Sequence, residues 1–94
     1  MIRRDGDTCS VEGPLTLGNI TAALAESDPL MNGDSLTVDL ATVTEVDSAA
    51  VSLLLEWRRM AQARGFSIRY VNLPKNLNSL AELYGVRDII VGAG

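Results

Sequence analysis

The residues with the most evident chemical potential are Asp47 and Ser48, in the run Val46-Asp47-Ser48-Ala49-Ala50-Val51, and Glu45 just before it. A hydroxyl at the start of a helix can cap a free backbone N–H group, which stabilises the helix by about 1 kcal/mol. The same hydroxyl can also accept a phosphate, which adds about −1.5 to −2 charges at a helix N-terminus. Capping is the simpler interpretation of Ser48, and Asp47 could act as the cap one position earlier. Both interpretations stay open at this point.

Groups for catalysis are scarce in the rest of the chain. There is no histidine and Cys9 is the one cysteine, so Ser–His and Cys–His nucleophile pairs, a disulfide within the chain and the common zinc sites are all excluded. Glu45 and Asp47 could in principle form an acid–base pair. However, no glycine-rich phosphate loop of the P-loop kind accompanies them. The sequence therefore predicts a protein that is not an enzyme and that holds no metal or cofactor.

The elements around Ser48 alternate between strand and helix periods. Apolar residues alternate with polar ones over Ser35–Leu40, which predicts a strand. The longest predicted helix runs from Ser48 to about Arg64, with Gly65 as its C-terminal cap. Phe66–Val71 then reads as a second strand, parallel to the first. The intervening segment Thr42–Ser48 is predicted to be a loop at the carboxyl end of a parallel strand, where functional residues collect.

Shorter elements flank this βαβ unit. The patterns predict a strand over Thr8–Glu12 and a helix from Leu17 to about Glu26, with Thr16 as its N-cap. A third helix is predicted after Pro74, because its apolar stripe, Leu77, Leu80, Ala81 and Tyr84, follows helical spacing until Gly85 ends the helix. Ile89–Val91 is predicted to be a last short strand or an apolar tail. The predicted fold class is α/β, with helices covering a mixed sheet.

One flank of the long helix carries Leu53, Trp57 and Met60. A neighbouring helix could cover this flank, which would make it part of the core. Alternatively, the flank could contact a partner, because Trp and Met are enriched at interfaces and Trp is common among binding hot spots. Ser52 lies on the polar arc of the same helix. The sequence leaves both interpretations of Trp57 open.

Composition limits the class of protein further. A chain of 94 residues, 47% of them apolar, has the size and composition of a single folded domain, residues 1–94. Its net charge of −4 and scattered basic residues argue against nucleic acid as a partner. No signal peptide and no apolar run near the roughly 20 residues of a membrane span is visible. We therefore expect the protein to reside in the cytoplasm.

Several segments, taken in order, resemble a known family. The run Val46-Asp47-Ser48-Ala49-Ala50-Val51, opening an apolar helix after the strand Leu36–Leu40, resembles the STAS domain of anti-sigma-factor antagonists and related proteins. A narrower resemblance, over about Val11 to Val86, is to the MlaB branch of that family. It is carried by Val38-Asp39-Leu40, Val46-Asp47-Ser48, Leu53-Leu54-Leu55-Glu56-Trp57, Asn72-Leu73-Pro74 and Leu80-Ala81-Glu82-Leu83-Tyr84-Gly85-Val86.

The resemblance implies a STAS-type mixed sheet of four to five strands with about three covering helices. It also implies a role, since MlaB proteins bind the cytoplasmic ATPase of an ABC system that moves phospholipid between two membranes. Asp47, Ser48, Ala49 and Ala50 would then form the edge that faces the ATPase, with Ser52 and Trp57 as further contacts. The protein would reach the inner face of the inner membrane only through its partner.

An alternative follows from the wider family. In anti-sigma-factor antagonists, the residue that matches Ser48 is phosphorylated by an anti-sigma factor with kinase activity. That family commonly has Asp-Ser-Ser-Gly at this place, whereas here Ala49 replaces the second Ser and Ala50 replaces the Gly. These differences favour a constitutive subunit over a phosphorylation switch.

Overall fold

The fold is a single sheet in which two α-helices connect parallel strands and a third follows the last strand. A computed structural model of the protein describes residues 2–92. Its elements in chain order are the strands and helices β1 (Ile2–Asp5), β2 (Thr8–Leu15), α1 (Ile20–Ser27), β3 (Ser35–Val46), α2 (Ser48–Arg64), β4 (Ser67–Val71) and α3 (Lys75–Leu83), with a 3-10 turn at Asp28–Leu30 and a π-helical turn at Asp88–Gly92. No helix within residues 2–92 combines the length and apolar character needed to cross a membrane.

The four strands lie side by side in the order β1-β2-β3-β4. β1 is antiparallel to β2, whereas β2, β3 and β4 run parallel to one another. Helices α1 and α2 make the two crossovers that parallel neighbours require. The α/β prediction, the mixed four-stranded sheet and its three covering α-helices are therefore confirmed.

Strand β3 is longer than predicted, and this corrects the expected loop at Thr42–Ser48. Its buried positions are Leu36, Val38 and Leu40, and then Val43 rather than residue 42. This shift marks a bulge, and the pairing of β2 with β3 changes register at the same place. The Thr42 hydroxyl donates a hydrogen bond of 2.9 Å to the carbonyl of Val11, which ties the bulge to β2. Strict alternation stops at Leu40, which is why the sequence pattern ended the strand there.

Helix α1 begins later than predicted, at Ile20, and Thr16 is not its N-cap. The Asn19 side chain instead holds the loop before the helix. Its Oδ1 accepts a hydrogen bond of 2.7 Å from the Thr16 backbone, and its Nδ2 donates to the Pro14 carbonyl. Leu17 consequently lies outside the helix and is exposed.

Both chain ends differ from the sequence prediction. β1 was not predicted, although Gly6, at φ 63°, occupies the two-residue turn between Asp5 and Thr8 that joins it to β2. Near the other end, Ile90 is buried within a helical turn, so of the two alternatives predicted for Ile89–Val91, a short strand or an apolar tail, the strand was wrong.

The core is centred on α2, which lies against the sheet and α1. Trp57 is 0% exposed, and its indole Nε1 donates a hydrogen bond of 2.8 Å to the Ser27 hydroxyl of α1. Ser27 is equally buried and donates 2.9 Å to the Leu24 carbonyl. The expected partner contact at Trp57 was therefore wrong, because α1 covers this flank of the helix. On the sheet side, the Tyr70 hydroxyl donates 2.6 Å to the Leu54 carbonyl, and burial raises the pKa of Tyr70.

The buried bond between Trp57 and Ser27 gives a test of this packing. Ser27→Ala should lower the free energy of unfolding by about 1–3 kcal/mol, because it leaves the indole N–H buried without a partner. Urea unfolding followed by circular dichroism measures the loss. The matched control, Ser79→Ala at an exposed position of α3, should change stability by less than about 0.5 kcal/mol.

A second background isolates the hydrogen bond from other effects of the substitution. In Trp57→Phe no indole N–H remains, so Ser27→Ala should then cost clearly less than it does in the wild type. An equal cost in both backgrounds would contradict the assignment of this bond as a stabilising contact.

Candidate functional site

Asp47 connects two segments at the C-terminal end of β3, where Ser48 lies. It is the N-cap of α2, and its Oδ1 accepts a hydrogen bond of 2.8 Å from the backbone N–H of Ala49. Its Oδ2 accepts a bond of 3.0 Å from the backbone N–H of Leu17, in the loop after β2. One carboxylate therefore joins the loop after β2 to the start of α2.

Ser48 is the first residue of α2 and is exposed. Because Asp47 supplies the cap, the Ser48 hydroxyl is not needed for capping. It makes no hydrogen bond to another residue of the described range 2–92. Its backbone carbonyl accepts a weak bond of 3.4 Å from the Ser52 hydroxyl, one turn along the helix. The hydroxyl of Ser48 therefore faces solvent with its bonding capacity unused.

The neighbouring alanines differ from each other in exposure. Ala49 is half-buried beside Ser48, whereas Ala50 is 0% exposed in the core. The prediction that Ala50 contributes to a contact edge was wrong, because the second residue of the helix after Ser48 already points toward the sheet. Ser52 is exposed and on the same helix face as Ser48, as the predicted polar arc requires.

Exposed apolar side chains lie on either side of Ser48. Leu17, held by Asp47, is 77% exposed, and Leu83 of α3 is 76% exposed. A groove of about 730 Å³ separates the end of β3 from α3, lined by Val46, Lys75, Asn76, Ser79, Leu80 and Leu83. β2, β3 and β4 are parallel, so Leu17, Ser48 and α3 follow the carboxyl ends of three adjacent strands. We call Leu17, Val46, Ser48, Leu80 and Leu83 the docking surface.

Sequence reasoning found Ser48 but missed most of the apolar part of this surface. Leu17 was predicted to be the first residue of α1, although the helix begins three residues later. Leu83 lies outside the predicted apolar stripe of α3. This departure from the helical spacing could have indicated that its side chain is exposed. Tyr84 was predicted to belong to that stripe but is half-exposed, because α3 ends at Leu83.

The chemistry of this surface is that of an interface. Exposed apolar side chains such as Leu17 and Leu83 are typical of protein-binding patches, whereas charged groups such as Lys75 and Glu45 belong to the polar rim of such patches. Within residues 2–92, no three His, Cys, Asp or Glu side chains converge as a metal site would require. Cys9 is buried in β2, and burial raises the pKa of its thiol, so it serves as a small core residue.

Comparison with solved structures places the fold. The anti-sigma factor antagonist SpoIIAA in its unphosphorylated form superposes with a TM-score of 0.72 at 13% identity, covering 93% of this chain and 81% of that one. The crystal structure of Mglu matches with a TM-score of 0.63 at 24% identity over 82% of this chain, which spans 20% of the Mglu chain. These likenesses show that the chain has the STAS fold.

Comparison of sequences identifies the family. No curated protein is significantly similar in sequence to this chain. The family model described as the MlaB STAS domain matches residues 2–92, nearly the whole sequence. The chain therefore belongs to the MlaB-type STAS domain family.

Proposed function

We propose that this chain is a non-catalytic binding subunit that docks on the cytoplasmic ATPase of an ABC-type phospholipid transporter and supports its assembly or activity. The observation that carries the proposal is the exposed Ser48, whose hydroxyl has no partner within residues 2–92 and lies between exposed Leu17 and Leu83. Membership of the MlaB-type family supports the identity of the partner. Through that partner the protein would lie at the inner face of the inner membrane.

The geometry suits recognition by a large partner. Exposed leucines gain free energy when a partner removes them from water, at roughly 25 cal/mol per Å² of apolar surface. The Asp47 bonds hold Leu17 and the first turn of α2 in fixed positions, so less conformational entropy is lost on binding. Ala49 adds no bulk beside Ser48, which allows another backbone to approach the helix closely.

The alternative function, an anti-sigma-factor antagonist phosphorylated on Ser48, uses the same exposed hydroxyl. Its structural support is the likeness to SpoIIAA, which at 13% identity concerns the fold alone. Ala49 and Ala50 also depart from the Asp-Ser-Ser-Gly pattern of the antagonists. Docking on an ATPase is therefore the function we prefer.

A neutral, bulkier side chain at Ser48 tests docking. Ser48→Gln should weaken binding to the ATPase of the same cell by at least about tenfold, because the longer side chain keeps the partner away from the first turn of α2. Isothermal calorimetry with the purified ATPase measures the affinity. Ala63→Gln, at an exposed position in the last turn of the same helix, is the matched control and should bind as the wild type does.

If Ser48→Gln binds the ATPase as tightly as the wild type does, the ATPase does not bind at the docking surface. If the wild-type chain binds no ABC ATPase of its own cell, the proposed partner is wrong. An increase in mass of one phosphate after incubation with an anti-sigma kinase, abolished in Ser48→Ala, would favour the antagonist function instead.

Stability measurements separate recognition from capping. Asp47→Ala should lower the free energy of unfolding by about 0.5–2 kcal/mol, because it removes the N-cap of α2. Ser48→Ala should change it by less than about 0.5 kcal/mol, since this hydroxyl caps nothing. Urea titrations followed by Trp57 fluorescence report both values. A loss in Ser48→Ala as large as in Asp47→Ala would show that Ser48 acts as a structural cap.

A further inference from the structure

A second carboxylate, that of Asp39, connects two further segments near the docking surface. Asp39 lies on β3, opposite Val71 of β4 and just before the bulge. Its Oδ1 accepts a hydrogen bond of 2.9 Å from the backbone N–H of Ala41, at the bulge, and one of 3.1 Å from the Nδ2 of Asn72, directly after β4. One oxygen atom therefore connects the bulge of β3 to the chain that leaves β4.

Asn72 is the residue at which the chain turns from β4 toward α3. Its φ of 58° is the one positive φ of a residue other than glycine within residues 2–92. Most side chains disfavour this left-handed conformation, which asparagine adopts more readily than most other residues. The bond to Asp39 fixes the side chain of Asn72 and so stabilises the turn.

The start of α3 lacks a side-chain cap. Its N-cap position is Pro74, which has no side-chain group that could accept a hydrogen bond. Farther along the helix, Leu77 and Ala81 are 0% exposed and hold its inner face on the core. The core contacts thus fix the middle of α3, whereas the direction in which the helix starts depends on the turn at Asn72.

The two segments that Asp39 connects lead to the two walls of the groove in the docking surface. Beyond the bulge, β3 ends at Val46, which lines one wall. Beyond Asn72, α3 carries Leu80 and Leu83 on the other wall. The relative placement of these walls therefore depends on the contacts of one carboxylate.

Asp39 does not itself line the groove. Its neighbours Val38 and Leu40 are buried in the core, so the Asp39 side chain leaves the opposite face of the sheet. The bonds from Ala41 and Asn72 hold the pKa of Asp39 below its usual value, which keeps the carboxylate ionised at neutral pH. An ionised acceptor forms stronger hydrogen bonds than a neutral one, which suits a group that holds two segments together.

We propose that Asp39 is a positioning residue for the docking surface: its carboxylate holds the β3 bulge and Asn72 together and thereby sets where α3 starts relative to Val46. Its effect on partner binding rests on the proposed docking function. The geometry of the groove, by contrast, can be measured on the protein alone, so the two can fail independently.

Exchange of the two side chains tests the bond. Methyl NMR of the full chain reports the groove through the signals of Val46, Leu80 and Leu83. Asn72→Asp should shift these signals, because two carboxylates then face each other and like charges repel. Adding Asp39→Asn should return the signals close to their wild-type positions, since the amide and the carboxylate have changed places and the hydrogen bond re-forms in the opposite direction.

Two further variants isolate the cause of the shifts. Asn72→Gly accepts the left-handed backbone without strain but removes the side-chain bond, so it should shift the same signals. It also keeps the test valid if Asn72→Asp does not fold. Ser67→Asp adds one negative charge at the exposed far end of β4, and as the matched control it should leave the groove signals unchanged.

Affinity for the purified ATPase of the same cell measures the consequence for docking. Asn72→Asp should weaken binding at least about fivefold, and adding Asp39→Asn should restore it to within about twofold of the wild type. Ser67→Asp should bind as the wild type does. A merely structural role would lower the free energy of unfolding while leaving the groove signals and the affinity of the folded chain unchanged.

Groove signals that stay at their wild-type positions in both Asn72→Asp and Asn72→Gly would overturn the proposal, because the core contacts alone would then position α3. Shifts in Asn72→Asp that Asp39→Asn does not reverse would overturn it as well. Affinity that stays unchanged while the signals move would disprove the link to docking. If the wild type binds no ATPase, the proposed partner is wrong, and the methyl signals still decide the role of Asp39.

Discussion

The arrangement of the chain around Ser48 depends on the contacts of the Asp47 carboxylate. Its two oxygens bind two backbone N–H groups from different parts of the chain, Leu17 after β2 and Ala49 in α2. Because both oxygens are engaged, the loop and the helix start are fixed relative to each other. The same arrangement relieves Ser48 of capping and leaves its hydroxyl exposed. The N-cap residue thus determines that the hydroxyl of its neighbour stays exposed.

Helix α2 connects the region around Ser48 to the rest of the molecule. Its first turn presents Ser48, and its middle buries Trp57 against α1. The helix is apolar on more than one side because the sheet and α1 both cover it. This explains an excess of apolar residues that would otherwise indicate an exposed binding groove.

Much of the fold could be predicted from the sequence because the βαβ unit obeys simple periodicity. The predicted start and end of α2 were both correct. At its end, Gly65 adopts the left-handed conformation, at φ 76°, that its C-cap position favours. The full length of β3 could not be predicted, because a bulge breaks alternation and leaves a pattern typical of a loop. For the site, the position of Ser48 followed from the family resemblance. The exposure of Leu17 and the burial of Ala50 and Trp57 depend on tertiary packing, which periodicity does not describe.

The bulge in β3 also bears on how this surface could vary among relatives. Side chains on a strand alternate between the two faces of the sheet, so the extra residue near Ala41 and Thr42 determines which face Val43 occupies, and a second register shift between Val43 and Val46 resets the alternation again. Removing either extra residue would exchange the orientations of the residues that follow it in β3 and turn the start of α2 about the strand axis. An insertion or deletion at this point would change the directions in which the following side chains point, although the residues themselves would stay the same. Variation by insertion or deletion is therefore far more restricted here than in the loops of the same domain.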